Sequence, residues 1–200
     1  MKIFGERDLR EYLSERVNHL QKEVHAEGNN QLLNVNEIQY IDYLVERYRV
    51  DPLIFQWDEM TVSEREEMIP AESFPFDFGM DEFDRGKRYL KQVITYQIPV
   101  LGDRELLRCK PSTFILWTQD LGVQTNSVYI DIINWRNDPD EIKREATGIL
   151  DHIKTQAANV TRDVETFNRE LEGQARRIVA ARKEEILRRM NVLSSLGVPV

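Results

Sequence analysis

Apolar side chains recur at helical spacing in the N-terminal quarter of the chain. Leu9, Leu13, Val17, Leu20 and Val24 are three or four residues apart, which places them on one face of an amphipathic helix. A second set with the same period follows, and it ends before a proline, which disfavours helical geometry in the residue before it. The pattern predicts helices over residues 8–27 and 36–50.

The pattern changes to that of β-strands between residues 88 and 135. β-branched and aromatic residues are concentrated in 89–100, 114–118 and 128–135, and runs of this kind are typical of strands. Residues 106–109 are the candidate for a fourth strand. The loops are too short for parallel crossover connections, so we expect antiparallel neighbours. The sequence therefore predicts an α+β fold with a small antiparallel sheet of three to four strands.

Two segments before these strands contain other patterns. Residues 63–67 are rich in glutamate after a serine, which predicts a single capped helical turn. Residues 70–79 contain three phenylalanines among prolines and a glycine, which predicts a loop. Because the predicted strands are apolar on both faces, both faces of the sheet need cover. The N-terminal helices can supply one layer, and the aromatic loop, the C-terminal segment or a partner chain the other.

The C-terminal third contains the strongest helical pattern. Pro139 is suited to the first position of a helix, and apolar residues from Ile142 to Leu171 recur about every 3.6 residues, the period of a straight α-helix. Gly173 interrupts the pattern, and a second apolar stripe continues to Met190. We expect a long C-terminal helical segment, which is either a hairpin or one bent helix.

The length of this segment predicts an interaction surface. A helix over residues 139–171 is about 50 Å long, which exceeds the width of a compact unit of about 100 residues. The core of one chain should therefore leave part of the apolar stripe uncovered, and we expect a second copy of the chain to cover it. The side chains expected at this contact are Ile153, Val160, Val164, Phe167 and Leu171.

The same reasoning divides the chain into parts. Residues 1–136 form the predicted α+β core, and residues 137–196 form the long helical segment, which packs on the core or on a partner copy. The last residues, 197–200, are apolar and lack the polar character usual at a chain terminus. We therefore expect them to be a linker to a further domain.

Charge is unevenly distributed along the chain. The 200 residues carry 27 basic and 35 acidic side chains, a net charge of −8, which disfavours binding to nucleic acid or to an anionic membrane. Residues 51–84 are strongly acidic and residues 173–190 are basic, an asymmetry typical of interaction surfaces. The basic side chains that we expect at such a surface are Arg176, Arg177, Arg182 and Lys183.

Composition also indicates the compartment. No apolar stretch approaches the roughly 20 residues of a membrane-spanning helix, and charged residues occur too early for a secretion signal. A single cysteine, Cys109, cannot form an internal disulfide, which favours a reducing environment. We expect a cytoplasmic protein that does not associate with membranes.

Acidic residues are the main candidates for chemistry. Asp77, Asp81 and Asp84 form the densest carboxylate cluster, and Asp131 lies within an apolar strand. Hard cations such as Mg²⁺ take carboxylate oxygens as ligands, so these four residues are the candidate ligands of a metal-dependent hydrolase. Their spacing does not match a helix–loop–helix calcium site. We therefore favour a solvated acidic loop, with no metal and no other cofactor.

The other motifs have structural explanations. Asp140, Glu141 and Lys143 include the residue types of a restriction-type nuclease site, but they are fused at a predicted helix N-terminus, where capping explains the acids. The histidines are paired with no recognisable serine or cysteine nucleophile, and the chain has no glycine-rich phosphate loop. We predict no catalytic residue in this chain.

Several short segments support a resemblance to known proteins. Ile98-Pro99-Val100-Leu101-Gly102-Asp103, Leu106-Leu107-Arg108 and Lys110-Pro111-Ser112-Thr113-Phe114 precede the helical segment, which ends in Leu196-Gly197-Val198-Pro199. This arrangement resembles the N-terminal α+β and helical region of bacterial multidomain proteins linked to defence against phage. In that group a C-terminal effector domain, often of nuclease or TIR type, follows. The resemblance implies that any catalytic part lies beyond residue 200.

Two hypotheses about function follow. We prefer a non-catalytic module that senses a ligand or oligomerises on behalf of an attached effector domain, with a homo-oligomer as the expected state. The alternative is a metal-dependent hydrolase or nuclease that uses the acidic residues named above.

Overall fold

The computed structural model describes residues 2–115 and 120–195. It is an α+β fold with an antiparallel sheet and a long C-terminal helix, as the sequence predicts, but the sheet has five strands and not three to four. The elements in chain order are β1 (Arg7–Asp8), α1 (Leu9–Ala26), α2 (Asn29–Asn34), α3 (Glu37–Tyr48), β2 (Ile54–Phe55), β3 (Thr61–Pro70), β4 (Arg88–Leu101), β5 (Cys109–Lys110), β6 (Gly122–Gln124), β7 (Ser127–Ile133) and α4 (Pro139–Ser195). Helices α1 and α3 confirm the two predicted N-terminal helices.

Strand β4 is the centre of a five-stranded antiparallel sheet. One of its edges pairs with β3 and, further along, with the two residues of β2. The other edge pairs with β7, which in turn pairs with β6. Strands β1 and β5 form a separate, parallel ladder. Within the described chain β3 pairs with β4 alone, so its outer edge is free over ten residues.

The inward face of this sheet belongs to the main hydrophobic core. Side chains alternate between the two faces of a strand, and Val128, Ile130 and Ile132 of β7 are all buried together with Ile98 of β4. They share one core with the apolar stripe of α4. The sheet therefore covers α4 with the apolar side chains of one strand face.

Helix α4 packs on both the sheet and the N-terminal helices α1 and α3. It contains 57 residues, about 85 Å at about 1.5 Å per residue. In its first half the Lys154 ammonium lies 5.2 Å from the centre of the Trp57 ring, next to the sheet. In its second half, Asn168 exchanges hydrogen bonds of 2.8 and 3.0 Å with the backbone of Val50, and Lys183 bonds Glu37 at 2.7 Å. Since these contacts lie at opposite ends of α3, the two helices run antiparallel.

The outward face of the sheet is covered at one end by the aromatic loop. Phe74 and Phe78 lie against Trp135, with ring centres 4.8 and 6.0 Å apart, and Val93 beneath this region is buried. Further along the strand the same face is polar, where Thr95 and Asp131 hydrogen bond to each other. The loop is thus the second cover that the sequence requires, and it is needed only where the face is apolar.

The C-terminal segment is a single helix, and the hairpin alternative is wrong. Helix α4 continues through Gly173, where an added Cβ would meet no neighbouring atom. Glycine in a helix interior costs only about 1 kcal/mol relative to alanine. The buried residues on both sides, Leu171 and Ala175, provide enough packing to outweigh that cost.

Two other local predictions are wrong, the second of them in part, since Cys109 begins β5. Residues 63–67 lie in the middle of β3 and form no helical turn, because all ten residues of this strand pair with β4 and pairing outweighs weak intrinsic preference. Residues 106–108 belong to a 3₁₀ helix, Arg104–Arg108; Leu106 and Leu107 are apolar because they are buried. Between the two predicted helices the chain also forms the short helix α2, which the sequence analysis does not predict.

Two predicted features fall on undescribed positions. The strand expected over residues 114–118 lies partly outside the described residues, and residues 114 and 115 are not in a strand. The expected linker, 197–200, lies wholly outside them. In the described chain, none of the helices combines the length and the apolar character that crossing a membrane requires.

Candidate functional site

A groove with a volume of about 700 Å³ lies between α1, α4 and residues 110–114. We call it the α1–α4 groove. The first half of α1 forms one wall and residues 162–174 of α4 form the other. Leu9, Leu13, Val17 and Phe167 supply the apolar part of its lining, and Ser14, Asn18, Thr166 and Gln174 supply neutral polar groups.

Short local interactions position the third side of this groove. Asp8 caps α1 by accepting the backbone N–H of Arg10 at 2.8 Å, and the pairing of β1 with β5 places Lys110 beside it. Ser112 then fixes the following segment to α4. Its backbone N–H and its hydroxyl donate to the two carboxylate oxygens of Asp163, at 2.7 and 2.8 Å.

Three cationic side chains line the groove: Arg10, Lys110 and Arg162. None of them forms an ion pair with any residue of 2–115 or 120–195. By contrast, the nearby Arg7 does form an ion pair, with Glu15 at 2.5 Å. The two acids in the groove, Asp8 and Asp163, already accept the hydrogen bonds just described. The groove therefore has three cations against two carboxylates, an excess of one positive charge, and none of the three cations is held in an ion pair by the described chain.

An aromatic ring stands at the edge of the groove beside one of these cations. Phe114 is 43% exposed, and the ammonium of Lys110 lies 4.4 Å from the centre of its ring. This distance is within the range of a cation–π interaction. An exposed ring next to free positive charge is a combination that recognises ligands carrying both an aromatic and an anionic group.

The apolar residues predicted to bind a second copy are buried within their own chain. Ile153, Val160, Val164 and Leu171 have no exposed surface, and Phe167 is 7% exposed. Helices α1 and α3 and strand β7 pack along α4 and cover this stripe. The stripe is therefore core and cannot be an interface of the folded chain. The expectation of an uncovered stripe was wrong because it assumed a compact core shorter than the helix, whereas α1 and α3 extend along α4 and cover it.

The predicted basic surface is largely neutralised by the chain itself. Arg176 pairs with Glu172 at 2.7 Å, and Lys183 pairs with Glu37 at 2.7 Å. Arg182 pairs with Glu185 at 2.8 Å. Arg177 donates to the carbonyl oxygen of Gly173 in the preceding turn. These side chains connect helices and helical turns, so they offer little free charge to a partner.

The four candidate metal ligands do not converge. Asp77 pairs with Arg136, and Asp81 caps a 3₁₀ turn through the backbone N–H of Phe83. Asp84 accepts from the hydroxyl of Tyr89 at 2.8 Å, which lowers the pKa of its carboxyl group. The described residues contain no group of three or more His, Cys, Asp or Glu side chains arranged to hold a metal ion.

Asp131 lies on the outward face of the sheet, in an ion pair. The guanidinium of Arg65 donates to both of its carboxylate oxygens, at 2.9 and 3.0 Å, and the Thr95 hydroxyl donates at 2.6 Å. Arg65 is the first cause of the lowered pKa of Asp131, with the Thr95 bond contributing. This polar cluster joins three adjacent strands and explains why an acid occurs in an apolar strand.

Sequence reasoning selected none of the cations of the α1–α4 groove. Arg10, Lys110 and Arg162 come from three remote segments, and only the fold brings them together. A weak signal was present in residues 110–114, where a lysine, a proline and a phenylalanine occur between predicted strands. No family model, no curated protein and no solved structure matches this chain.

Proposed function

We propose that this chain is a non-catalytic sensing module that binds a small anionic ligand in the α1–α4 groove. The observation that carries the proposal is the group of three cations without ion pairs, Arg10, Lys110 and Arg162, around one groove. Charge-assisted hydrogen bonds to such groups are roughly twice as strong as neutral ones. The N-terminus of the 18-residue helix α1 also lies at this groove and adds positive potential.

The size of the groove supports a small ligand. Its volume of about 700 Å³ falls within the range of about 300–1,000 Å³ that is usual for small-molecule sites. The apolar lining residues would exclude water from part of the ligand and strengthen its polar contacts. The acids Asp8 and Asp163 each keep a negative charge, but hydrogen bonds from the chain hold them, so they leave the three cations free to contact an anion.

The wider setting of this module comes from the resemblance to bacterial phage-defence proteins. In this proposal a ligand that binds in the groove signals to an attached effector domain of nuclease or TIR type, and the chain works in the cytoplasm as a homo-oligomer. The contact between copies would have to use surfaces other than the apolar stripe of α4, because that stripe is buried.

The alternative hypothesis of a metal-dependent hydrolase gains no support from the geometry. Asp131 is engaged by Arg65, and Asp77 by Arg136. Binding Mg²⁺ at either carboxylate would require breaking an ion pair.

The proposal is tested by calorimetry with sodium tripolyphosphate, at low salt and without divalent cations. We expect binding by the wild-type chain, and we expect Arg162→Gln to weaken it about tenfold, since a hydrogen bond to a charged group contributes about 1.5–3 kcal/mol. Arg144→Gln is the matched control, because Arg144 is an exposed arginine of the same helix outside the groove.

Two results would contradict the proposal. One is the absence of measurable heat with the wild-type chain at millimolar tripolyphosphate. The other is an equal loss of affinity in Arg162→Gln and Arg144→Gln, which would indicate general attraction to a positive surface.

A further inference from the structure

We infer that the ligand of the α1–α4 groove is a mononucleotide, whose base stacks on Phe114 and whose phosphates contact Arg10, Lys110 and Arg162. This inference rests on the function proposed above and specifies its ligand class. It requires an aromatic surface and free cations at one place, and the groove contains both.

The position of Phe114 carries the first step. The ring is 43% exposed, although it borders a groove whose other large apolar residue, Phe167, is buried. The Lys110 ammonium lies over the ring at 4.4 Å from its centre, and we place the base against the exposed part of the ring. Base–aromatic stacking is tolerant of base identity, because every base has a π-face.

Other exposed aromatic rings of the described chain lie beside cations that are paired or outnumbered by acids. Tyr43 is 44% exposed, but Arg47, which lies over its ring, pairs with Glu23 at 2.9 Å. Phe76 and Phe83 are even more exposed than Phe114. Phe76 lines a pocket in which three acids, Glu72, Asp81 and Glu82, outnumber one cation, Arg85, and Phe83 stands between two acids in the sequence. Only a ring beside an excess of cations that no ion pair holds can pair stacking with phosphate binding. Phe114 meets this condition among the residues that the structure describes.

Neutral polar side chains at the groove provide the remaining contacts. Asn18 and Gln174 each offer both a donor and an acceptor, and Ser14 and Thr166 offer hydroxyl groups. These groups suit the hydroxyls of a ribose and the edge of a base. An acidic peptide such as poly-glutamate would use the cations, but it has no aromatic group to stack on the exposed ring.

The experiment compares ATP, GTP, CTP and UTP with sodium tripolyphosphate by calorimetry, without divalent cations. We expect at least one nucleotide to bind about tenfold more tightly than tripolyphosphate, since stacking on an aromatic side chain contributes that much or more. Phe114→Leu should remove this advantage and Phe114→Trp should keep it. Because Phe114 contacts Lys110, the nucleotide affinity of each variant is compared with its own affinity for tripolyphosphate, and Phe83→Leu is the control at another exposed ring.

The outcomes separate this inference from the function on which it rests. If tripolyphosphate binds and no nucleotide binds more tightly, the nucleotide inference is wrong and the anion site stands. If neither binds, both fail together. If a poly-glutamate peptide binds more tightly than every nucleotide, the groove is a protein-interaction site and the inference is wrong.

Discussion

Cys109 illustrates how the core changes the chemistry of one side chain. The residue is fully buried, and its thiol bonds the carbonyl oxygen of Glu105 at 3.3 Å. Burial is the main cause that raises the pKa of this thiol to about 11. Since the thiolate is the reactive form, Cys109 acts as an apolar core residue, as the sequence suggests for a lone cysteine without a flanking motif.

Cys109 should resist thiol reagents while the protein is folded. At pH 8 we expect a negligible rate of reaction with Ellman's reagent in the native state. In guanidinium chloride we expect complete reaction, because the pKa of the thiol returns to about 8.5 in the unfolded chain. The release of the coloured product measures both rates.

An introduced cysteine provides the control for this measurement. Thr155→Cys places a thiol at an exposed position of α4, and one equivalent should react rapidly in the folded protein. Fast labelling of Cys109 in the native wild-type protein would show that the core around it opens readily.

Single residues also show the limit of sequence reasoning. Asp131 is visible in the sequence as an acid among apolar residues, but its partner Arg65 precedes it by 66 positions. The same holds for Arg10, Lys110 and Arg162. Their identities are printed in the sequence, but a charge becomes part of a site only through its distance to others, and the fold alone determines that distance.

At the scale of elements, periodic patterns predicted the helices well. The stripe from Ile142 to Leu171 is a helix because its period matches α-helical geometry. The same period is expected whether the covering surface comes from the same chain or from another copy. This is why the helix was predicted from sequence and its neighbours were not.

Strands were predicted only where burial makes them apolar. Strand β7 has its buried apolar side chains on one face, and β4 has buried side chains on both, so both strands are rich in apolar residues and are identified from the sequence. Strand β3 is exposed along eight of its ten residues, so its sequence, rich in glutamate, indicates a helical turn. Its structure is determined by pairing with β4, a later segment of the chain that the local sequence of β3 does not reveal.

Burial of the α4 stripe leads to a test with a sharp outcome. Val164→Asp should unfold the protein or lower its free energy of unfolding by at least about 3 kcal/mol, because it buries an unpaired charge. Leu187→Asp, at a position on the same helix that is 49% exposed, should change it by less than about 0.5 kcal/mol. Urea unfolding followed by far-UV circular dichroism measures both changes.

The opposite result would restore the interface that the sequence suggested. A Val164→Asp variant that keeps the stability of the wild type, and whose mass by light scattering falls from that of an oligomer to that of one chain, would show that Val164 contacts a partner and not its own core.

On the scale of the whole molecule, α4 makes the sheet and the helical half dependent on each other. Its first half shares a core with β7, and its second half packs on α1 and α3. Neither half can lose its packing without exposing part of the same helix. We therefore expect the chain to unfold as one cooperative unit.

Two spectroscopic probes can test this cooperativity. Trp57 and Trp135, two of the three tryptophans, lie beside the sheet, whereas far-UV circular dichroism reports mainly on the helices. The two urea transitions should coincide in the wild type. Ile186→Ala, a change at the buried far end of α4, should lower both midpoints equally, although it lies far from the tryptophans.

If the sheet and the helices unfolded independently, the two urea transitions would differ. Two separate midpoints, or a shift of the circular dichroism transition alone in Ile186→Ala, would show that α4 does not couple them. Leu187→Asp is the matched control for a change at the neighbouring, exposed position.

The free edge of β3 has a consequence for the protein in a crowded solution. A row of unsatisfied backbone donors and acceptors invites another strand to add to it and so to begin a fibre. Here Glu64, Arg65, Glu66 and Glu67 occupy the middle of that row. An identical strand arriving in most registers would bring glutamate against glutamate, and the charges would have to lose water as it docked. The acidic stretch thus discourages aggregation at the one long edge that the described sheet leaves open.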